Sequence, residues 1–105
     1  MTNEQFNIII KWQQSRLGDV KMVGQLNKLI EEVNELVFDY NEGAFNDMRV
    51  ELADCFIVLF GIANKMGMDY ADIHKEIADK MIVNFARTWF NPDENGIIKH
   101  KEDNI

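Results

Sequence analysis

The spacing of apolar residues in the second quarter of the chain most constrains its fold. From residue 26 to residue 40 they recur at steps of three and four, the spacing of one face of an amphipathic helix. Residues 55–63 are apolar nearly all round, so a helix there needs cover on several sides. Together these segments predict packed helices and an all-α fold.

Four helices account for most of the chain. The predicted helices cover residues 3–17, 20–41, 46–66 and a stretch from 69 to about 89. Gly18 and Gly67 are expected stops, and the fourth helix begins at Asp69 with a capping pattern to Asp72. A length of 105 residues suits one small core, so we expect a single domain, residues 1–105, built as a bundle of about four helices. Trp89 is placed at the end of the last helix.

A short irregular tail is expected after this helix. Pro92 and the Asn95–Gly96 pair predict turns. Ile97 and Ile98 predict a short extended piece between these turns and a polar end.

The net charge is concentrated in one stretch. Residues 31–54 carry eight acidic side chains and one basic side chain. Their net charge of −7 equals that of the whole chain. The remaining residues carry ten of each. This balance argues against a nucleic-acid partner bound through a basic face, and such local acidity predicts a cation site.

The longest apolar run, residues 55–63, is far shorter than the roughly 20 residues that span a bilayer. The first ten residues also lack the features of a signal peptide. We therefore expect no membrane partner and a cytoplasmic location. The single cysteine, Cys55, lies in the apolar run, which predicts a buried and inert thiol.

Two acidic pairs are placed where they can meet. Glu32 and Glu35 lie one turn apart on the second helix, and Glu51 and Asp54 have the same spacing on the third. A short connection makes these helices antiparallel neighbours, so four carboxylates can converge. Their mutual repulsion is relieved only by protons or cations.

The donor set indicates the kind of cation. Every candidate ligand is an oxygen, and the Glu-x-x-His pattern of di-iron bundles is missing. Oxygen-only ligation favours Mg²⁺, with Mn²⁺ able to substitute, over Zn²⁺ or Fe²⁺. The alternative stays open, because Glu-x-x-Glu pairs commonly line solvated helix faces. Glu31, about 100° from Glu32 on the helix, is a supporting acid, a base for water or an exposed residue.

A second set of polar residues lies on the fourth helix. Lys80, Asn84 and Arg87 follow the spacing i, i+4 and i+7 of one face. They suit a polyphosphate and a sugar hydroxyl, and a solvated basic face is the alternative. Trp12 is a candidate for stacking on a nucleobase or for core packing. Lys28, one turn before Glu32, is a candidate to contact phosphate or to pair with that acid.

These motifs resemble those of the MazG-like branch of the all-α nucleoside triphosphate pyrophosphohydrolases. The resemblance covers about residues 26–89 and rests on "KLIEEVNEL", "ELAD" and "KMIVNFARTW". It implies Mg²⁺ ligation and catalysis by Glu32, Glu35, Glu51 and Asp54, with Glu31 in support. The pattern of Lys80, Asn84 and Arg87 strengthens the match, and the resemblance also implies a homodimer or a dimer of dimers.

By this resemblance, the chain converts a nucleoside triphosphate to the monophosphate and pyrophosphate, cleaning or reshaping a nucleotide pool. Purine deoxynucleotides are one expected class. A relative specific for dUTP or dUDP is an alternative. A helical interaction module without catalysis, whose acids form only a solvated patch, is an alternative of a different class.

Overall fold

The computed structural model describes residues 1–101, which contain four α-helices. They are α1 (Asn3–Leu17), α2 (Met22–Asn41), α3 (Phe45–Lys65) and α4 (Tyr70–Ala86). The all-α prediction is confirmed, and each predicted helix start lies within two residues of the observed one. Among the described residues no strand forms, and none of the helices is long and apolar enough to cross a membrane. The end of the predicted tail, residues 102–105, lies outside the described residues.

Side-chain caps fix the starts of two helices. The Thr2 hydroxyl accepts a hydrogen bond from the backbone N–H of Gln5 at 3.1 Å, and the Gln5 side chain accepts one from the N–H of Thr2 at 2.9 Å. Asp69 and Asp72 cap α4 in the same reciprocal way, as the sequence predicted. Gly18 ends α1 at a φ of 65°, a conformation that glycine adopts without strain.

The chain divides into two compact units, Met1–Ile73 and His74–Ile105, with the boundary inside α4. In the first unit, α2 packs along α3 and α1 packs against α3. Because only residues 42–44 separate α2 from α3, the two helices are antiparallel. The buried apolar residues of this unit are Phe6, Ile10, Cys55, Val58 and Ala63.

Two rows of apolar side chains in the first unit are exposed. The apolar stripe of α2 follows the spacing i, i+4, i+7 and i+11, and its members are 42–59% exposed: Leu26, Ile30, Val33 and Val37. The apolar stripe of α3 is 43–51% exposed and consists of Leu52, Phe56 and Leu59. Each set lies on one face of its helix. Much of the apolar pattern that predicted these helices is therefore left uncovered.

In the second unit, α4 ends earlier than predicted. The helix stops at Ala86, so the placement of Trp89 on it is wrong. The indole N–H of Trp89 donates instead to the backbone carbonyl of Asn84 at 3.1 Å, and its backbone forms an isolated antiparallel bridge with His100. This carbonyl lies in the last turn of the helix and also accepts from the backbone N–H of Arg87 at 3.3 Å.

The segment after α4 doubles back on itself. The N–H of Phe90 donates to the carbonyl of Lys99 at 2.8 Å. At the tip, the Asp93 carboxylate accepts from the N–H groups of Asn95 and Ile97, both at 2.9 Å. The turn predicted at the Asn95–Gly96 pair is thus present.

Candidate metal centre

Three carboxylates from two helices converge in the first unit. Glu32 and Glu35 of α2 and Glu51 of α3 each contribute an oxygen, and these oxygens lie within 4.8 Å of one another. The one-turn spacing on α2 and the short return into α3 produce this approach. The structure therefore brings together three of the four acids expected to meet. We call this group the carboxylate cluster.

The cluster runs from the interior to the surface. Glu32 is 5% exposed, Glu51 is half-buried and Glu35 is exposed. The Oε2 atoms of Glu32 and Glu51 are both buried and have no hydrogen-bond partner. Two carboxylate oxygens accept hydrogen bonds but do not donate them, so only a proton or a cation can join them. Such buried, unsatisfied oxygens are costly in a folded protein.

The pKa values of Glu32 and Glu51 are shifted in opposite directions. Hydrogen bonding with Glu32 and then with Glu35 raises the pKa of Glu51 to about 7, with burial and charge repulsion adding to the effect. The hydrogen bond from Lys28 lowers the pKa of Glu32, although burial acts against it. Near neutral pH, Glu51 is thus close to its own pKa and exchanges a proton readily.

Lys28 is the basic partner of the cluster. Its Nζ lies 2.9 Å from Oε1 of Glu32 and 3.6 Å from Oε2 of Glu31. The hydrogen bond with Glu32 is the main cause of a raised Lys28 pKa. Of the two expectations for this lysine, pairing with Glu32 is the one observed.

Asp54 and Glu31 lie at the edge of the cluster. Asp54 is half-buried one turn beyond Glu51, and among the described residues its carboxylate is not within the 4.8 Å group. Burial is the main cause of a raised pKa at the Cys55 thiol, and the charges of the carboxylates, Asp54 among them, add to it. Cys55 is thus a buried, protonated thiol, as expected. The Glu31 side chain is 68% exposed and forms an ion pair with Lys28 at 3.6 Å.

Oxygen donors around a buried negative charge suit hard divalent cations. Carboxylates are the preferred ligands of Mg²⁺ and Mn²⁺. The buried, unpartnered Oε2 oxygens of Glu32 and Glu51 are donors of the kind that such an ion prefers.

Trp12 on α1 is at the surface of the first unit. It is 53% exposed, so the expectation of core packing is wrong. With Ile8, Ile9 and Ile57 it lines an open apolar hollow of about 330 Å³. An exposed indole at such a hollow is available to a flat apolar ligand.

The predicted phosphate-binding residues belong to the second unit. Lys80 is exposed, while Asn84 and Arg87 are half-buried. Arg87 lies one residue beyond the end of α4, and its N–H still bonds to the carbonyl of Asn84 at 3.3 Å. The Asn84 amide nitrogen lies 3.8 Å from the sulfur of Met81.

Sequence reasoning missed a buried polar contact next to the core. Gln13 and Gln25 are each only 7% exposed, and the Gln13 amide donates to the carbonyl of Ile57 at 2.7 Å. A Cβ at Gly61 would lie 2.5 Å from Oε1 of Gln13, so glycine makes room for this amide. A glycine interrupting the apolar run of α3 was the available signal.

The fold and the cluster together define a class of protein. A solved structure similar to this chain is the cyanophage S-2L MazG-like pyrophosphohydrolase, bound to dGDP and three catalytic Mn²⁺ ions per active site. The two align with a TM-score of 0.77 and 27% sequence identity, covering 97% of this chain and 99% of the other. The chain is thus a MazG-like nucleotide pyrophosphohydrolase, a hydrolase acting on phosphoric anhydrides.

The particular family follows from a family model. The model of the dATP/dGTP pyrophosphohydrolases matches residues 6–104, and the chain belongs to this family. The comparison with curated proteins found no match. Family membership confirms the resemblance to MazG-like enzymes. It also excludes the alternative that the chain is an interaction module without catalysis.

Proposed function

We propose that the protein hydrolyses purine deoxynucleoside triphosphates to the monophosphate and pyrophosphate, with Mg²⁺ or Mn²⁺ as cofactor. The observation that carries the proposal is the carboxylate cluster, with the buried, unpartnered oxygens of Glu32 and Glu51. The name of the family and the dGDP bound to the cyanophage enzyme support a purine deoxynucleotide. Removal of unwanted nucleotides from a cytoplasmic pool is the corresponding role.

Glu32, Glu35 and Glu51 would hold the cations, and Asp54 would join them from the next turn of α3. When bound, divalent cations neutralise charge on phosphate oxygens and make water a better nucleophile at neutral pH. The three Mn²⁺ ions of the cyanophage enzyme support more than one cation. The oxygen-only donor set supports Mg²⁺ as well as Mn²⁺.

The remaining groups bind and orient the substrate. Lys80 and Arg87 supply positive charge for the phosphate chain, and Arg87 can bind two phosphate oxygens at once. Asn84 supplies an amide for a phosphate or a sugar hydroxyl. Trp12, exposed beside its apolar hollow, offers a face on which a purine can stack.

We also propose that the protein is a homodimer or a dimer of dimers. The apolar stripes of α2 and α3 support this, because each leaves a row of large side chains partly exposed. Contiguous exposed apolar surface is typical of an interface. A second copy of the chain would cover both stripes.

A panel of nucleotides tests the proposed reaction. The full chain is incubated with each common dNTP and NTP, and with dUTP and dUDP, in Mg²⁺ or Mn²⁺. Pyrophosphate is measured for the triphosphates, and phosphate is measured for dUDP. We expect release from dATP and dGTP that stops on addition of EDTA. Hydrolysis confined to dUTP or dUDP would support the rival specificity instead. No hydrolysis of any triphosphate would overturn the proposal.

A further inference from the structure

The ammonium of Lys28 already neutralises the buried end of the carboxylate cluster. It lies 2.9 Å from Oε1 of Glu32, the acid that is only 5% exposed. A buried carboxylate without a partner is costly, so this contact stabilises the folded chain before any other cation binds. Lys28 itself is half-exposed and flexible enough to move.

A second acceptor for Lys28 lies beside the first. Oε2 of Glu31 is 3.6 Å from the same Nζ atom, and the Glu31 side chain is 68% exposed. Glu31 and Glu32 are neighbours in sequence and point about 100° apart on α2. A rotation of the lysine side chain alone can therefore transfer the ammonium from the inner acid to the outer one.

A divalent cation and Lys28 compete for Glu32. Both are positive, and at a separation of a few ångströms they repel one another strongly. Glu32 is also the acid whose second oxygen is buried without a partner. Cation binding at Glu32 thus favours departure of the ammonium, and Glu31 is the second acid with which Lys28 already forms an ion pair.

We propose that Lys28 is the resident counter-ion of the cluster and transfers from Glu32 to Glu31 when a divalent cation binds. This inference rests on the proposed metal function of the cluster. It gives Glu31 a role that spacing alone left open: a positioning residue that holds Lys28 away from the cation. Lys28 in turn keeps the metal-free cluster folded and sets its affinity for cations.

The test is Mn²⁺ binding to the full chain without nucleotide, measured by calorimetry. We expect K28M to bind Mn²⁺ about tenfold more tightly than the wild type, the order expected when one nearby charge is removed from a partly exposed site. K28R, which keeps the charge, is expected to bind like the wild type. K65M is the matched control, because Lys65 forms its ion pair with Asp19 at 3.0 Å.

A double-mutant cycle tests the role of Glu31. E31Q should weaken Mn²⁺ binding roughly threefold in the wild-type background, because Lys28 loses its second acceptor. In the K28M background, E31Q should have no effect. An equal loss in both backgrounds would mean that Glu31 acts on the cation directly, and it would overturn the proposed transfer.

The two proposals fail in different ways. If the wild type binds no Mn²⁺, the metal centre itself is wrong and this inference falls with it. If the wild type binds Mn²⁺ and K28M binds no more tightly than K65M, only the counter-ion role is wrong. Should K28M fail to fold, E31Q still tests the transfer, because it changes only an exposed side chain. An Mn²⁺ affinity of E31Q equal to that of the wild type would contradict the transfer.

Discussion

Glu32 on α2 and Glu51 on α3 each bury one carboxylate oxygen that has no hydrogen-bond partner, and both acids belong to the same 4.8 Å cluster. The two respond differently to their surroundings. Lys28 lowers the pKa of Glu32, whereas hydrogen bonding with Glu32 is the main cause that raises the pKa of Glu51 to about 7. Glu32 is thus favoured in its charged form by an ammonium, whereas Glu51 is favoured in its protonated form by the neighbouring acids. A bound divalent cation would favour the charged form of both.

The first prediction concerns the ligands. E35Q and D54N should each lower divalent cation affinity and reduce turnover by roughly 100-fold or more, because each removes a charged oxygen donor. E42Q is the control, since Glu42 is an exposed acid at the end of α2. Calorimetry and pyrophosphate release measure the two effects. If D54N alone changes neither cation affinity nor turnover, the cation site consists of the three-acid cluster without Asp54.

The second prediction concerns the stability of the metal-free protein. The pKa of Glu51 is about 7 in the folded chain and 4.5 ordinarily, so between these values the folded state holds a proton that the unfolded state has released. Raising the pH from about 4.5 to 7 therefore removes stability on account of Glu51. The pKa of Glu32 is lowered, so Glu32 has the opposite effect at a lower pH: below about 4.5, its contribution to stability is lost as the pH falls.

Thermal unfolding in EDTA measures this effect. The Tm of the wild type should fall relative to that of E51Q as the pH rises from 5 to 8, and divalent cations should reverse the loss in the wild type only. Parallel pH profiles for the two proteins would show that Glu51 does not carry the raised pKa.

The third prediction concerns the phosphate-binding residues of α4 and its end. K80M and R87M should raise KM for the triphosphate about tenfold or more, because each removes a charged phosphate contact. K75M is a matched control on the same helix, where Lys75 is paired with Asp79 at 2.7 Å. Steady-state kinetics with dGTP measure the change. A KM increase for K75M equal to that for K80M would indicate a general charge effect instead of a specific contact.

The fourth prediction concerns the apolar stripe of α2. I30D should shift the protein toward the monomer, because a charge in an apolar interface is desolvated without a partner. F38D is the control, since Phe38 is equally exposed on another face of α2. Light scattering after size-exclusion chromatography gives the mass of each. A wild type that is already monomeric would rule out the proposed assembly.

The fold was predictable because helical spacing and terminal residues carry most of the information. The steps of three and four along α2 and the stop at Gly18 all correspond to observed features. The pattern failed at Trp89, which continues the apolar spacing of α4 but lies beyond the end of the helix, where its indole N–H bonds to the carbonyl of Asn84. Spacing on a helix does not reveal such a contact.

The site was predictable only in part. One-turn spacing placed Glu32, Glu35 and Glu51 together, but whether Asp54 reaches them depends on side-chain rotamers and helix rotation. Spacing allowed Lys28 to pair with Glu32, and the structure shows this ion pair at 2.9 Å, while a phosphate contact by Lys28 stays a prediction. The burial of Gln13 depends on a glycine 48 residues away, Gly61, and no local pattern connects the two.

We propose that water attacks the α-phosphorus of the purine deoxynucleoside triphosphate, so that its bond to the bridging oxygen breaks and pyrophosphate leaves. Hydrolysis of dGTP in ¹⁸O-labelled water, followed by mass spectrometry of the products, tests it most directly. We predict equal amounts of dGMP and pyrophosphate, with the label in dGMP. Label in pyrophosphate, or the products dGDP and phosphate, would contradict the proposed reaction.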